Sequence, residues 1–179
     1  MNKMLCLHGS GQCSKNFKTL CRPIRGIDLF FLNGPYKYEK GGRTWYNRTA
    51  TAPLKLSDYP DIIDTSLELI DKSVKENNIE ILFGYSQGGA AVDAYLAYMN
   101  KDSQIKKAII MSGYSIIDPD RKKVKVPLLN IYSGADKVIA PIHNPTLTQY
   151  EDIRTFEHDK GHVLNLTRNV INEIYEFIE

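Results

Sequence analysis

The sequence predicts an α/β fold in which a mostly parallel sheet of about six strands carries helices on both faces. Short apolar runs typical of buried strands recur at residues 4–7, 27–32, 81–83, 107–111 and 128–132, and residues 153–157 are expected to form a short final strand. Segments with apolar residues at helical spacing separate several of these runs, as β-α-β units require. Because 179 residues is the size of one domain, we expect a single domain over residues 1–179.

Four helices are expected among these strands. The first begins near Ser14, whose side chain would cap it, and ends before Pro23. The second is a crossover helix that starts at Asp58 or Asp61, and the third follows Ser86. The apolar residues of these helices are Phe17, Leu20 and Cys21 in the first, Ile63, Leu67, Ile70 and Val74 in the second, Ala94, Tyr95 and Tyr98 on the inward face of the third, and Val163, Leu166, Val170, Ile174 and Phe177 on the sheet-facing side of a C-terminal helix.

The composition excludes several classes of protein. Apolar residues make up 42% of the chain and charged residues 25%, as in an ordinary globular protein. A net charge of +2 gives no indication of a nucleic-acid or anionic-membrane partner, and no apolar run approaches the length of a membrane-spanning helix. Three cysteines form no C-x-x-C pair and suit reduced thiols. We therefore expect a cytoplasmic protein without stable membrane insertion.

Residues 84–88 match the pattern G-x-S-x-G between an apolar strand and a helix that begins with small residues. A serine on so tight a turn takes a strained backbone conformation, and its neighbours two positions away pass too close together for a Cβ. Gly84 and Gly88 meet this requirement. The pattern predicts that Ser86 is a nucleophile exposed at the carboxyl end of the strand, with the Gln87 N–H free to bind an oxyanion. The alternative is an ordinary glycine-rich turn.

The loop after the first strand contains two glycines, Gly9 and Gly11, around Ser10. These glycines let the backbone approach a ligand closely, so Gly9 is a candidate pocket residue. If the first strand lies beside the strand before Ser86, the Ser10 N–H would be a second oxyanion donor. The plainer alternative is a simple strand-to-helix connection. His8 is expected to hold this loop structurally.

Asp136 follows the strand at residues 128–132, and His162 follows the last strand beside Gly161. An aspartate in that place can accept the Nδ1 proton of a histidine, although a lone aspartate in a turn is more often an Asx cap. His162 is preferred to His158 as the base, and no role is expected for His143. The chain order Ser86, Asp136, His162 is the order found in the α/β-hydrolase fold. We therefore predict that the α/β fold of this chain is an α/β-hydrolase fold.

Two further segments bear on the substrate. Residues 36–59 lack clear periodicity and leave the carboxyl end of a strand, so we predict a pocket wall there with Trp45 and Tyr46 turned inward. The alternative is a surface loop that its tryptophan anchors to the core. Basic residues among these aromatics are not accompanied by a nucleic-acid motif. The connection at residues 114–127 is short where larger hydrolases insert a lid, so no lid domain is expected.

The chain resembles the fungal and animal serine hydrolases known as the FSH family, nearly end to end. The segments that carry the resemblance are Leu5-Cys6-Leu7-His8-Gly9 with Gln12, Asn33-Gly34-Pro35, Arg43-Thr44-Trp45-Tyr46, Gly84-Tyr85-Ser86-Gln87-Gly88, Ser112-Gly113-Tyr114, Ala135-Asp136-Lys137-Val138-Ile139 and Gly161-His162. The resemblance implies an α/β-hydrolase fold, a Ser86, Asp136, His162 triad, no cofactor or metal, and hydrolysis of carboxylic esters. The family often has Gly-Gly-His followed by proline where this chain has Lys160-Gly161-His162-Val163, so the setting of the histidine differs.

The expected activity is therefore cleavage of a small-molecule ester through an acyl-enzyme on Ser86. A thioesterase acting on acyl-protein or acyl-CoA would use the same residues. A protein that keeps the fold and binds a ligand without turnover is the alternative from another class. The sequence leaves the acyl chain, the leaving group and the oligomeric state open.

Overall fold

The computed structural model describes residues 1–47, 55, 61–100 and 104–179, and its strands follow the predicted apolar runs. The strands are β1 (Lys3–Leu7), β2 (Asp28–Leu32), β3 (Tyr36–Lys37), β4 (Arg43–Thr44), β5 (Ile81–Tyr85), β6 (Lys107–Met111), β7 (Leu128–Ser133) and β8 (Ile153–His158). Six of them form one sheet in the order β2-β1-β5-β6-β7-β8, and every neighbouring pair is parallel. β3 and β4 form a separate antiparallel pair.

The helices are α1 (Ser14–Leu20), α2 (Asp64–Asn77), α3 (Gln87–Tyr98) and α4 (Arg168–Ile178), with a short 3₁₀ helix at Pro141–His143. Apolar residues of α2 and α3 pack on one face of the sheet, and those of α1 and α4 pack on the other. Side chains alternate between the faces along each strand, so Leu5 and Leu7 join one cluster while Met4 and Cys6 join the other. Burial on both faces explains the apolar character of the inner strands, whereas the edge strand β8 contains the exposed residues Arg154 and Glu157. The predicted fold class is confirmed.

Three predicted helix boundaries differ from the structure. Cys13, not Ser14, occupies the N-cap position of α1, and the Ser14 N–H is bound instead by the side chain of Asn33 at 2.8 Å. α2 begins at Asp64, three residues after Asp61, whereas Asp58 lies outside the described residues.

The third difference concerns the C-terminal helix, which begins at Arg168. Val163 and Leu166 therefore precede it. Their helical spacing misled the prediction because loop residues such as Leu164 and Leu166 pack against the same core cluster as α4. The loop that carries His162 is longer as a result.

The connection between β6 and β7 contains no helix or strand at residues 112–127, in agreement with the predicted lack of a lid.

A buried ion pair fastens this connection to α3. The Arg121 guanidinium binds both carboxylate oxygens of Asp93, at 2.7 and 3.0 Å, and Asp93 also accepts hydrogen bonds from the Ile116 N–H and the Tyr150 hydroxyl. Across the described residues, no helix is long and apolar enough to cross a membrane.

Candidate active site

Ser86 lies in the turn between β5 and α3 and has a positive φ of 52°, which is unusual for a residue with a side chain. The chain can turn this sharply because its neighbours lack side chains. A Cβ on Gly84 would lie 2.4 Å from the Gly88 carbonyl oxygen, and a Cβ on Gly88 would lie 2.2 Å from the Leu7 carbonyl oxygen. Both distances are shorter than van der Waals contact allows between nonbonded atoms. Glycine is therefore required at both positions, as the sequence predicted.

The structure brings the three predicted side chains into one hydrogen-bonded chain. His162 Nε2 lies 3.0 Å from Ser86 Oγ, and His162 Nδ1 lies 2.8 Å from Asp136 Oδ2. The second carboxylate oxygen, Oδ1, accepts the Val138 and Ile139 N–H groups, each at 2.8 Å. A carboxylate only accepts, so Nδ1 carries a proton and Nε2 presents its lone pair to the serine hydroxyl.

Burial differs along this chain of hydrogen bonds. The Asp136 side chain is 3% exposed and that of His162 is 16% exposed, so solvent reaches the imidazole but scarcely the carboxylate. The Tyr85 ring lies beside the imidazole, with 5.5 Å between ring centroids. Burial, together with the nearby Asp136 charge, raises the pKa of Tyr85 to about 12, so its hydroxyl stays neutral.

One buried hydroxyl joins the two loops that carry the acid and the imidazole. Ser133 Oγ accepts the Ala135 N–H at 3.2 Å and the Gly161 N–H at 3.0 Å. Gly161, directly before His162, has a φ of 70°, in the left-handed region that favours glycine. The positions of Asp136 and His162 are therefore linked through Ser133.

The two predicted oxyanion donors lie in the loop after β1 and in the first residue of α3, which meet beside Ser86. β1 and β5 are adjacent, with Leu7 opposite Gly84, and a Cβ on Gly88 would lie 2.6 Å from the His8 carbonyl oxygen. Within the described residues, no protein group accepts a hydrogen bond from the N–H of Ser10 or of Gln87. Both N–H groups are thus available to a ligand.

Trp45 and Tyr46 require a correction. Both side chains are buried, Trp45 at 0% exposure and Tyr46 at 1%, so neither presents a surface to a substrate. The Trp45 indole N–H donates to the His8 carbonyl oxygen at 2.8 Å, and the ring joins the core cluster on the α2–α3 face. The structure agrees with the alternative interpretation, in which the tryptophan anchors its segment to the core.

The remaining histidines are not part of the Ser86 chain. His8 is buried; its Nε2 accepts the Gly34 N–H at 3.0 Å and its Nδ1 lies 2.7 Å from the Gly9 carbonyl oxygen, in agreement with a structural role. His158 ends β8, and its Nδ1 accepts the Lys160 N–H at 3.2 Å. His143 lies in the 3₁₀ helix. In the described parts of the chain, no group of three or more His, Cys, Asp or Glu residues is arranged to hold a metal ion.

Sequence reasoning missed a buried polar cluster formed by Thr44 and the side chain of Gln87. Gln87 Oε1 accepts the Thr44 hydroxyl at 2.5 Å and the Trp45 N–H at 2.8 Å, while its Nε2 donates to the Tyr46 carbonyl oxygen at 3.0 Å. The only signal in the sequence was that residues 43–46 are one of the segments that carry the family resemblance. Polar residues among aromatic residues do not by themselves predict a buried cluster.

Solved structures of other proteins share the fold of this chain. Two of the most similar solved structures are a Bacillus cereus carboxylesterase (TM-score 0.76, 15% identity, 98% of this chain and 86% of that one) and a variant of Arabidopsis thaliana SOBER1 (TM-score 0.75, 18% identity, 99% and 98%). The fold shared with such structures is the α/β-hydrolase fold. The model of the family described as Serine hydrolase (FSH1) matches residues 1–174. The chain belongs to this serine hydrolase family, and the predicted resemblance is confirmed.

Two curated relatives are similar in sequence. Esterase C25G4.2 of Caenorhabditis elegans is 21% identical over 189 residues, which cover 90% of this chain and 86% of that protein. A probable esterase of Aspergillus terreus is 25% identical over 158 residues, which cover 75% of this chain and 62% of that protein.

Proposed function

We propose that the protein hydrolyses carboxylic esters through an acyl-enzyme on Ser86, with His162 as general base and Asp136 as its partner. The observation that carries the proposal is the hydrogen-bonded chain from Ser86 Oγ through the imidazole to Asp136, centred on a strained turn. Such a chain activates a hydroxyl that is otherwise a weak nucleophile. The esterase names of the two curated relatives support the same substrate class.

In the first half of the reaction, Ser86 Oγ attacks the ester carbonyl carbon while its proton passes to His162 Nε2. The imidazolium that forms is stabilised by the Asp136 carboxylate, which accepts a hydrogen bond from Nδ1–H. The bond to the alcohol then breaks, and Nε2 returns the proton to the departing oxygen. The products of this half are the free alcohol and the acyl-serine.

In the second half, water takes the place of the alcohol. Nε2 accepts a proton from the water as its oxygen attacks the acyl carbon, and the Ser86 oxygen leaves with that proton. The carboxylic acid is released and the enzyme is restored. In both halves, the carbonyl oxygen becomes negatively charged, and the free N–H groups of Ser10 and Gln87 are the donors proposed to stabilise it.

The same groups would cleave a thioester, because the leaving atom is protonated by the same imidazole. We propose oxygen esters as the main substrates.

We also propose a cytoplasmic location. The three free cysteines support this location, because free thiols persist in a reducing compartment. Gly9 stays a predicted pocket residue; its Cβ position lies 3.1 Å from the Tyr85 ring, so little space is left beside it.

The test is Ser86→Ala, assayed with nitrophenyl esters of graded chain length. We expect kcat to fall by about 10⁴-fold or more, since removal of a triad nucleophile has effects of this order. Ser112→Ala is the matched control: Ser112 also follows a strand and has a positive φ of 49°, yet its hydroxyl has no partner among the described residues. It should keep activity within about threefold.

Labelling and matched substrates separate the alternatives. A fluorophosphonate probe should label the wild type and not Ser86→Ala, whereas a protein that only binds a ligand would not react. Oxygen and sulfur esters of the same acyl group distinguish an esterase from a thioesterase by kcat/KM. Wild-type rates in the Ser86→Ala variant would rule out the proposed mechanism.

A further inference from the structure

The hydroxyl of Thr44 lies between the two residues whose N–H groups are the proposed oxyanion donors. Thr44 Oγ1 is 3.2 Å from Ser10 Oγ on one side and 2.5 Å from Gln87 Oε1 on the other. Thr44 is 2% exposed and Gln87 is 7% exposed, so this connection is shielded from water over most of its length. One side chain therefore links the loop after β1 to the first residue of α3.

Counting protons fixes the direction of these hydrogen bonds. Thr44 Oγ1 has one proton, and both Gln87 Oε1 and the Tyr46 carbonyl oxygen, at 3.1 Å, can only accept. The Thr44 proton is therefore committed to these acceptors, and the Ser10 hydroxyl must be the donor in the remaining contact. The result is a directed chain from Ser10 Oγ–H to Thr44 Oγ1–H to Gln87 Oε1.

The backbone beside Thr44 holds the same loop. The Gly11 N–H donates to the Arg43 carbonyl oxygen at 2.9 Å, and the Arg43 N–H donates to the Gln12 carbonyl oxygen at 2.8 Å. A Cβ on Gly42 would lie 2.0 Å from the Gly11 carbonyl oxygen, which shows how closely the two segments approach. Ser10 is thus held against β4 by backbone bonds from the residues after it and by the Thr44 hydroxyl directly.

We propose that Thr44 is a positioning residue that fixes the Ser10 N–H relative to the Gln87 N–H, so that both donors reach one oxygen atom. The inference rests on the proposed function. Preorganised donors act only if they are directed at the place where charge develops, and loss of one donor lowers kcat by about 10²- to 10³-fold in other hydrolases. Displacement of the Ser10 donor should have a smaller effect of the same kind.

The experiment compares Thr44→Val with Thr44→Ser. Valine has the shape of threonine without its hydroxyl, and Gln87 Oε1 keeps the Trp45 N–H as a donor, so the variant should fold. We expect kcat for a nitrophenyl ester to fall about 10- to 100-fold with KM within about twofold, because the donors act on the transition state. Thr44→Ser restores the hydroxyl and should keep kcat within about threefold of wild type.

Ser66→Ala is the structural control. Ser66 Oγ donates to the Trp45 carbonyl oxygen at 2.5 Å, so it holds the same segment, and among the described residues it has no hydrogen bond to Ser10 or Gln87. If Thr44 only stabilises the fold, Thr44→Val and Ser66→Ala should lower the melting temperature and kcat alike. The proposal requires that only Thr44→Val lowers kcat.

Ser10→Ala removes the donor to Thr44 and retains the backbone N–H. Alone it should lower kcat, and in the Thr44→Val background it should have no further effect, because both changes break the same connection. Independent losses in the double variant, or full kcat in Thr44→Val, would overturn the inference and leave the proposed function intact. A wild type without Ser86-dependent turnover would overturn both.

Discussion

Two sides of Ser86 are built differently. On one side, which we call the base side, the loops after β7 and β8 supply the side chains of Asp136 and His162. On the other, the donor side, the loop after β1 and the first residue of α3 supply the backbone N–H groups of Ser10 and Gln87, the proposed oxyanion donors, and the Thr44 hydroxyl connects these residues. The base side depends on the chemistry of two particular side chains, whereas the donor side depends on where the backbone is held.

The difference explains which roles a sequence can indicate. An aspartate and a histidine in a fixed chain order limit the possible mechanisms, because few other residues can replace them. Every residue except proline has a backbone N–H, so a donor has no residue type of its own. The residues that matter on the donor side are those that hold the backbone, and most of them are buried.

The largest expected effect lies on the base side. Asp136→Asn should lower kcat by about 10³- to 10⁴-fold, because the amide can donate to Nδ1 and thereby favour the tautomer whose Nε2–H faces Ser86. Ester hydrolysis measures the effect, and circular dichroism checks the fold. Asp159→Asn is the control, since that carboxylate is exposed near the same loop and should change kcat less than twofold. More than a tenth of wild-type activity in Asp136→Asn would mean that His162 does not need its partner.

A smaller effect of a different kind is expected on the donor side. Trp45→Phe removes the indole N–H from the buried His8 carbonyl oxygen and leaves a void, so the free energy of unfolding should fall by about 2–3 kcal/mol. Urea denaturation followed by circular dichroism measures this change. KM and kcat should stay within about threefold of wild type. A large rise in KM without loss of stability would instead support the pocket wall that the sequence suggested.

The smallest expected effect is the pH dependence of stability through His8. Burial, with a contribution from the Arg43 charge, lowers the pKa of His8, so the folded protein keeps this imidazole neutral. As the pH falls below about 6.5, the unfolded chain takes up a proton that the folded protein does not, and stability decreases by at most about 1.4 kcal/mol per pH unit. Above that pH the effect disappears.

His8→Gln tests this linkage because glutamine does not titrate and can still accept the Gly34 N–H. Between pH 7.5 and 5.5, the wild type should lose more stability than His8→Gln in urea titrations. Burial also lowers the pKa of His158, and this contribution is common to both proteins and cancels. Equal losses in the two proteins would show that His8 is not the group responsible.

The extent of prediction followed the same division. Apolar runs predicted the inner strands of the main sheet, because strands buried on both faces are largely apolar, whereas the edge strand β8 contains Arg154 and Glu157 and has no such run. The tight turn at Ser86 was predictable because backbone contacts require glycine at Gly84 and Gly88. Trp45 was misplaced because an aromatic residue in a long loop can face a ligand or the core, and only the path of the backbone decides. Thr44 was not predicted, because a buried hydroxyl that links two backbone segments belongs to no motif of fixed residue types and chain order.

Ser133 has a further consequence for how the free enzyme is prepared. Its hydroxyl accepts one N–H from each of the loops that carry Asp136 and His162, so these loops cannot move apart without losing a hydrogen bond. The imidazole and carboxylate are therefore assembled during folding rather than on arrival of a substrate. Turnover should start without a lag after mixing.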